Sequence, residues 1–223
     1  MQQSIHSGQV GQAAALTIAP PRTDDEAPDA PATRPVRLLP HHLAELRRSA
    51  LSDKTIEASG IFSLSDSAAI ERIINWKCPT RDWGQSLVFP FRGLDGKFDG
   101  FSRIKPGRPV GEGRKYEQPC GVSSRAYFPP ESIAAIHERG HLLVIAEGEK
   151  KALAVTQSGY PCIGLCGVWN WGKDRVLIPD LAAIDWHGRT VLIIFDTDSY
   201  RNPDVNYAAA ELTRVLFEAG ANP

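Results

Sequence analysis

Leu142-Leu143-Val144-Ile145-Ala146-Glu147-Gly148-Glu149-Lys150-Lys151 and, about fifty residues later, Val191-Leu192-Ile193-Ile194-Phe195-Asp196-Thr197-Asp198 decide the fold. Each is a short apolar run that ends in a carboxylate. Uninterrupted runs of this length read as strands buried on both faces, the pattern of a parallel sheet. A strand ending in an acid places that acid at the rim of the sheet, where ligands bind in open α/β architectures. Gly148 permits a tight turn and close approach of a phosphate, and the helix start that follows presents free N–H groups to an anion. Lys150 and Lys151 fall in the first helical turn, where the macrodipole prefers acids, so their placement points to a role beyond stability. Asp196 and Asp198 lie two apart and, in extended chain, face the same way. Mg²⁺ takes oxygen ligands and usually meets one or two protein carboxylates plus substrate phosphates. Glu147, Asp196 and Asp198 together can hold one divalent cation (Mg²⁺ or Mn²⁺) or two, an arrangement suited to chemistry at a phosphate.

Working outward, the second half alternates helix and strand. Helices are predicted over 132–138, 149–158, 177–184 and 203–219, and strands over 141–146, 162–166 and 190–195. This alternation predicts an α/β fold, a parallel sheet with covering helices, over 131–223. The chain stops at Pro223, where a further strand is expected after Gly220, so either the domain is truncated there or its fold is completed otherwise. The preceding stretch, 38–130, reads as a small helical plus antiparallel β module. His41–Ser49, Asp53–Ser59 (N-capped by Ser52 and stopped by Gly60) and Ser67–Asn75 (capped by Asp66) are its predicted helices. Strands over 87–91 and 98–104 flank the Asp95-Gly96 turn signal. Residues 1–37, rich in Ala and Pro, read as a disordered tail.

Composition bounds the function. A net charge of -1 over 223 residues means that any nucleic-acid binding is local. Arg103, Lys105, Arg108, Arg114, Lys115 and Arg125 form such a local cluster, and with Lys150 and Lys151 they are candidates to bind nucleotide or template. Phe101, Tyr116 and Tyr127 are candidates to stack on bases, against the alternative that the aromatics pack a small β core. Val168-Trp169-Asn170-Trp171-Gly172 follows the second α/β strand on the rim that carries Glu147; it either stacks a base or packs over a helix. No apolar run approaches the roughly 20 residues of a membrane span, and no secretion signal is evident. Cys78, Cys120, Cys162 and Cys166 lack zinc-knuckle spacing and read as reduced cysteines of a cytoplasmic protein. No Walker A loop is present.

Strand-Glu147-Gly148 followed by strand-Asp196-x-Asp198 resembles the TOPRIM domain shared by bacterial-type primases, type IA and II topoisomerases, OLD-family nucleases and recombination-mediator proteins. Phe89-Pro90-Phe91-Arg92, Asp95-Gly96, Gly100-Phe101-Ser102-Arg103, Lys115-Tyr116 and Tyr127 are similar to the subdomain that precedes TOPRIM in bacterial primases. The helical start, with Leu51-Ser52-Asp53 and Gly60, looks like a family of TOPRIM proteins borne by phages, plasmids and other mobile elements. One departure is Lys150-Lys151, where many TOPRIM members carry an Asp. The resemblance implies a primase-type, Mg²⁺-dependent nucleotidyltransferase core in mobile-element or phage-like replication. It would use single-stranded DNA and NTPs, with a helicase in trans. Glu147, Asp196 and Asp198 would be its catalytic and metal residues. The alternatives are a TOPRIM nuclease and a non-catalytic single-stranded nucleic-acid-binding module.

Overall fold

Capping and turn chemistry set the first elements. The structure is a computed structural model and describes residues 38–75, 83–108, 115–196 and 202–223. Helix α1 (Pro40–Arg48) starts with Pro at its first position, where no N–H is needed. Helix α2 (Asp53–Ser59) is capped by Ser52, whose hydroxyl accepts from the Thr55 N–H, and ends at Gly60 in the left-handed region. Strand β1 (Phe62–Leu64) follows, then α3 (Ser67–Ile74), whose cap Asp66 accepts from the N–H groups of Ala68 and Ala69. These caps match the sequence reading residue by residue.

Strands β2 (Ser86–Arg92) and β3 (Phe98–Lys105) form the expected hairpin across Asp95-Gly96. With β1 they make a three-stranded antiparallel sheet in the order β1-β2-β3. Pro90 is tolerated inside β2 because the register shifts between Pro90 and Arg92, as at a bulge. Strand β4 (Ala126–Tyr127) closes this half of the sequence but belongs to the other sheet.

The second half runs α4 (Ile133–His137), β5 (Leu143–Glu147), α5 (Glu149–Gln157), β6 (Cys162–Leu165), β7 (Gly172–Lys173), β8 (Val176–Leu177), α6 (Pro179–Ala182), β9 (Val191–Ile194) and α7 (Pro203–Glu218). The larger sheet has the order β4-β6-β5-β9. β5 pairs in parallel with both β6 and β9, and β4 is an antiparallel edge. The fold is thus α/β with a parallel-containing sheet and flanking helices. Two differences from the sequence reading stand out. A two-residue hairpin turn at Asp174-Arg175, both at positive φ, creates β7 and β8 without a glycine to announce it. That hairpin takes Leu177, so α6 begins only at Pro179.

The period-2 alternation of the sheet divides the interior. Leu143, Ile145, Ile163 and Leu165 face a core completed by Ile136, Leu181, Trp186, Leu212 and Leu216. Val144, Ala146 and Cys162 face a second core shared with Leu153 of α5 and with Leu87, Phe89, Phe91 and Phe101 of the antiparallel sheet. Gly164 lets the layers close tightly here, since a Cβ would stand 3.1 Å from both Ala152 Cβ and Gly148 O. The antiparallel sheet therefore lies on the α5 side of the parallel one, and β3 reaches the rim where β5 ends. The residues at the end of the chain meet the far edge: Val191 N–H donates to Asn222 O at 2.9 Å, and Asn222 N–H to Arg189 O at 2.8 Å.

Arg189, fully buried, fixes the segment that enters β9. Its guanidinium donates to the Ile136 carbonyl at 2.8 Å, an acceptor at the C-terminal end of α4, and at 3.3 Å to the Ala135 carbonyl, which also accepts from the Glu138 N–H. Arg189→Ala is expected to lower stability by roughly 3 kcal/mol, since it strands the buried Ile136 carbonyl and removes a buried side chain. Arg189→Lys should recover part of that loss in denaturant titrations, because it keeps the charge without the fork.

Candidate active site

The parallel register brings the two acidic signatures together. Glu147 ends β5 opposite Leu165 of β6, while Ala146 pairs with Ile194 of β9, two residues before Asp196. Glu147 and Asp196 therefore emerge from adjacent strands at the same rim. Gly148 turns the chain at φ 87° and ψ 154°, and its N–H donates to Leu165 O at 2.7 Å. Space for a Cβ is free at Gly148, so the demand for glycine is conformational rather than steric.

Between this rim and β3 lies a cavity of about 870 Å³. Its walls carry three carboxylates, Glu147, Glu149 and Asp196, and five cations, Arg103, Lys105, Lys115, Lys150 and Lys151. Lys151 pairs with Asp196. Burial pushes the Glu147 carboxyl above its ordinary value, Asp196 adds to the effect, and the charges of Lys151 and Arg103 only partly oppose it. Lys105 and Lys150 donate to the same oxygen of Glu45 on α1, at 2.6 and 3.0 Å. Burial pushes the Glu45 carboxyl up, but its hydrogen bonds to the two lysines outweigh that and hold it below the usual value.

The back wall is a buried ion pair. Arg103 of β3 donates to Glu149 Oε1 at 2.6 Å, and the two side chains are 11% and 2% exposed. The Arg103 guanidinium also lies 4.7 Å from the centre of the Tyr116 ring. Burial disfavours its charge, but Glu149 overcomes this and raises its pKa. Burial, with the Glu149 charge beside it, drives the Tyr116 hydroxyl upward. Burial pushes the Cys166 thiol up to about 12 despite Arg103, so it stands there as a neutral group and not as a nucleophile.

Of the sequence candidates, Glu147, Asp196, Arg103, Lys105, Lys115, Lys150 and Lys151 line one cavity. Arg108 is exposed and does not line it. Asp198 and Arg114 lie outside the described residues. Phe101 and Tyr127 are buried at 5% and 2% exposure and pack edge-on against Phe91, so they are core residues and not base-stacking ones; only Tyr116 reaches the cavity. Trp171 is likewise buried. Two residues of the site escaped sequence reasoning, Glu149 and Glu45. Glu149 was legible in Glu-Gly-Glu as an acid on the first helical turn; Glu45, about a hundred residues upstream of its lysine partner Lys150, left no local signal.

Glu147 and Asp196 fit a hard divalent cation. Both offer oxygen donors to one cavity, and the Asp196 charge disfavours ionisation of Glu147. Among the described residues no group of three His, Cys, Asp or Glu is gathered at metal-binding range.

Residues 135–223 match the sequence profile of a family described as a domain of unknown function (DUF3854). No curated protein matches the chain. Solved structures share its fold. The crystal structure of the Aquifex aeolicus primase, comprising zinc-binding and RNA polymerase domains, is 13% identical with a TM-score of 0.59, covering 82% of this chain and 48% of that one. A structure of the DnaG catalytic core is 15% identical with a TM-score of 0.54, covering 82% of this chain and 61% of that one. The chain thus has the fold of a primase catalytic core and spans about half the length of the Aquifex structure. No described helix is long and apolar enough to cross a membrane.

Arg103→Ala or Glu149→Ala alone is expected to destabilise by roughly 3–5 kcal/mol, because each leaves a buried charge unpaired. The double variant Arg103→Met/Glu149→Leu should lose much less than the sum of its own two single variants, Arg103→Met and Glu149→Leu, a coupling that a double-mutant cycle in urea measures directly. Millimolar Mg²⁺ or Mn²⁺ is expected to raise the melting temperature by mass action on the folded state. Asp196→Ala should remove that shift, and an unmoved wild-type melting curve would contradict the carboxylate pair as a cation site.

Proposed function

We propose that the chain is a primase-type nucleotidyltransferase core that extends a primer on single-stranded DNA from NTPs. The observation that carries this reading is the single cavity in which two rim carboxylates face five cations, on the fold of a primase catalytic core. Lys105, Lys115, Lys150 and Lys151 supply the charge that a triphosphate or a template backbone needs. Arg103, locked between Glu149 and Tyr116, fixes the position of the back wall. A primer 3′-hydroxyl attacks the α-phosphorus of the NTP. The new P–O bond forms as the α–β bond breaks, and pyrophosphate leaves. Glu147, on the rim of the cavity, would serve either as a ligand of the cation or as the acceptor of the hydroxyl proton. Mg²⁺ or Mn²⁺, held by Glu147 and Asp196 with Asp198 as the further sequence candidate, would supply charge neutralisation at the phosphate. A replication role in a mobile element, with a helicase acting in trans, is the setting that the lead-in resemblance suggests.

Primer synthesis on single-stranded DNA with NTPs and Mg²⁺ tests the reading. Asp196→Asn is expected to cut product formation by about 10²–10³-fold, the scale of losing a transition-state electrostatic contact, with the melting temperature retained. Nicking of DNA without NTP incorporation would instead assign the site to a nuclease. Binding of single strands with neither activity would leave a nucleic-acid-binding module.

A further inference from the structure

The loop after β6 carries a feature that the phosphate chemistry does not use. Cys166 lines the 870 Å³ cavity, and three residues on the chain reaches Trp169. Trp169 is 43% exposed although it lies between two rings, Trp171 at 6.4 Å and Tyr207 of α7 at 5.6 Å between centroids. Tyr207 is 59% exposed. An indole that only plugged the core would be covered, as Trp171 is at 3%. Trp169 also forms part of the wall of a second cavity, of about 370 Å³, a size that suits a small ligand or a fragment of a larger one. Ser123, Ser124 and Asn170 line that cavity with hydrogen-bonding groups, and Lys173 adds a cation at its wall.

We propose that Trp169, flanked by Tyr207, is a stacking platform for an unpaired base of a single-stranded nucleic acid whose backbone continues into the cavity of Glu147 and Asp196. Three features identify this occupant. An aromatic face accepts any base, because every base presents a π-surface. Lys173 is placed for the phosphate, and the serine hydroxyls and the Asn170 amide for base edges. Fully extended chain spans at most about 3.6 Å per residue, so Trp169 stands no more than about 11 Å of backbone from the wall of the first cavity at Cys166. A strand entering one cavity thus meets the other within a few nucleotides. The platform rests on the reading of the first cavity as a site that works on single strands.

The test is fluorescence anisotropy of a labelled oligothymidylate at fixed salt, against wild type, Trp169→Ala, Trp169→Phe and Tyr207→Ala. A strand of the same length with abasic positions serves as the backbone-only control. Trp169→Ala is expected to weaken oligothymidylate binding about five-fold or more, the lower end of base–aromatic stacking. Trp169→Phe should keep most of the affinity. The abasic strand should bind wild type and Trp169→Ala alike. If Trp169→Ala melts lower than wild type, Tyr207→Ala carries the comparison, since it alters an exposed side chain, and it is expected to weaken oligothymidylate binding as well. Unchanged affinity in Trp169→Ala and Tyr207→Ala, with wild type binding, overturns the platform and leaves the patch to a protein partner. Equal wild-type affinity for abasic and base-bearing strands overturns it as well. Loss of stacking in Trp169→Ala together with no primer synthesis by wild type would keep the platform and reject the catalytic reading. Wild type that binds neither strand would reject both.

Discussion

The contact between Arg103 and Glu149 holds the candidate site together. It ties the antiparallel sheet, through β3, to the first turn of α5, and thereby sets the width of the cavity between them. Two charges taken from water at that depth repay their desolvation only with good geometry and further partners. The 2.6 Å hydrogen bond and the Tyr116 ring beneath the guanidinium supply both. Lys105 lies on the same strand and Lys150 on the same helix turn, so the cations of the cavity inherit their positions from this pair. An apolar pair could hold the two layers equally well, but it would not orient a donor at the back of a polar cavity.

Much of the architecture could be read directly from the chain. Caps at Ser52 and Asp66, the stop at Gly60, the turn at Asp95-Gly96 and the two acid-terminated apolar runs each report a local rule, and each appears in the structure. The parallel pairing of β5 with β9 follows from the same alternation. The hairpin at Asp174-Arg175 was not legible, because Arg175 stands at positive φ where such turns usually carry glycine. Nor was the swap of β4 into the larger sheet, which a two-residue strand cannot announce. Charge patterns gave the cations of the site but not their partners. Glu45 and Glu149 act on residues far away in sequence or hidden by burial, and long-range pairing of that kind leaves no periodic trace.

The aromatic residues show how burial sorts chemically similar side chains into different roles. Phe101, Tyr127 and Trp171 sit in strands or loops roofed by other elements, and their rings fill space. Tyr116 keeps one face against a guanidinium at the cavity. Trp169 is left half open on the rim. In sequence, all five are aromatics near basic or polar neighbours; only the packing of the two sheets against one another separates them.

One carboxylate oxygen of Glu45 serves two lysines at once, and that arrangement makes the cavity self-screened. On the proposed reading, a phosphate that reaches Lys105 and Lys150 meets ammonium groups that each already give one bond to Glu45, so the anion and the docked α1 would share the same two cations. To the extent that a phosphate drew either lysine away from Glu45, linkage would require it to loosen α1 by the same factor by which docked α1 weakens its binding. Helix α1 is, in electrostatic terms, a tethered counter-ion.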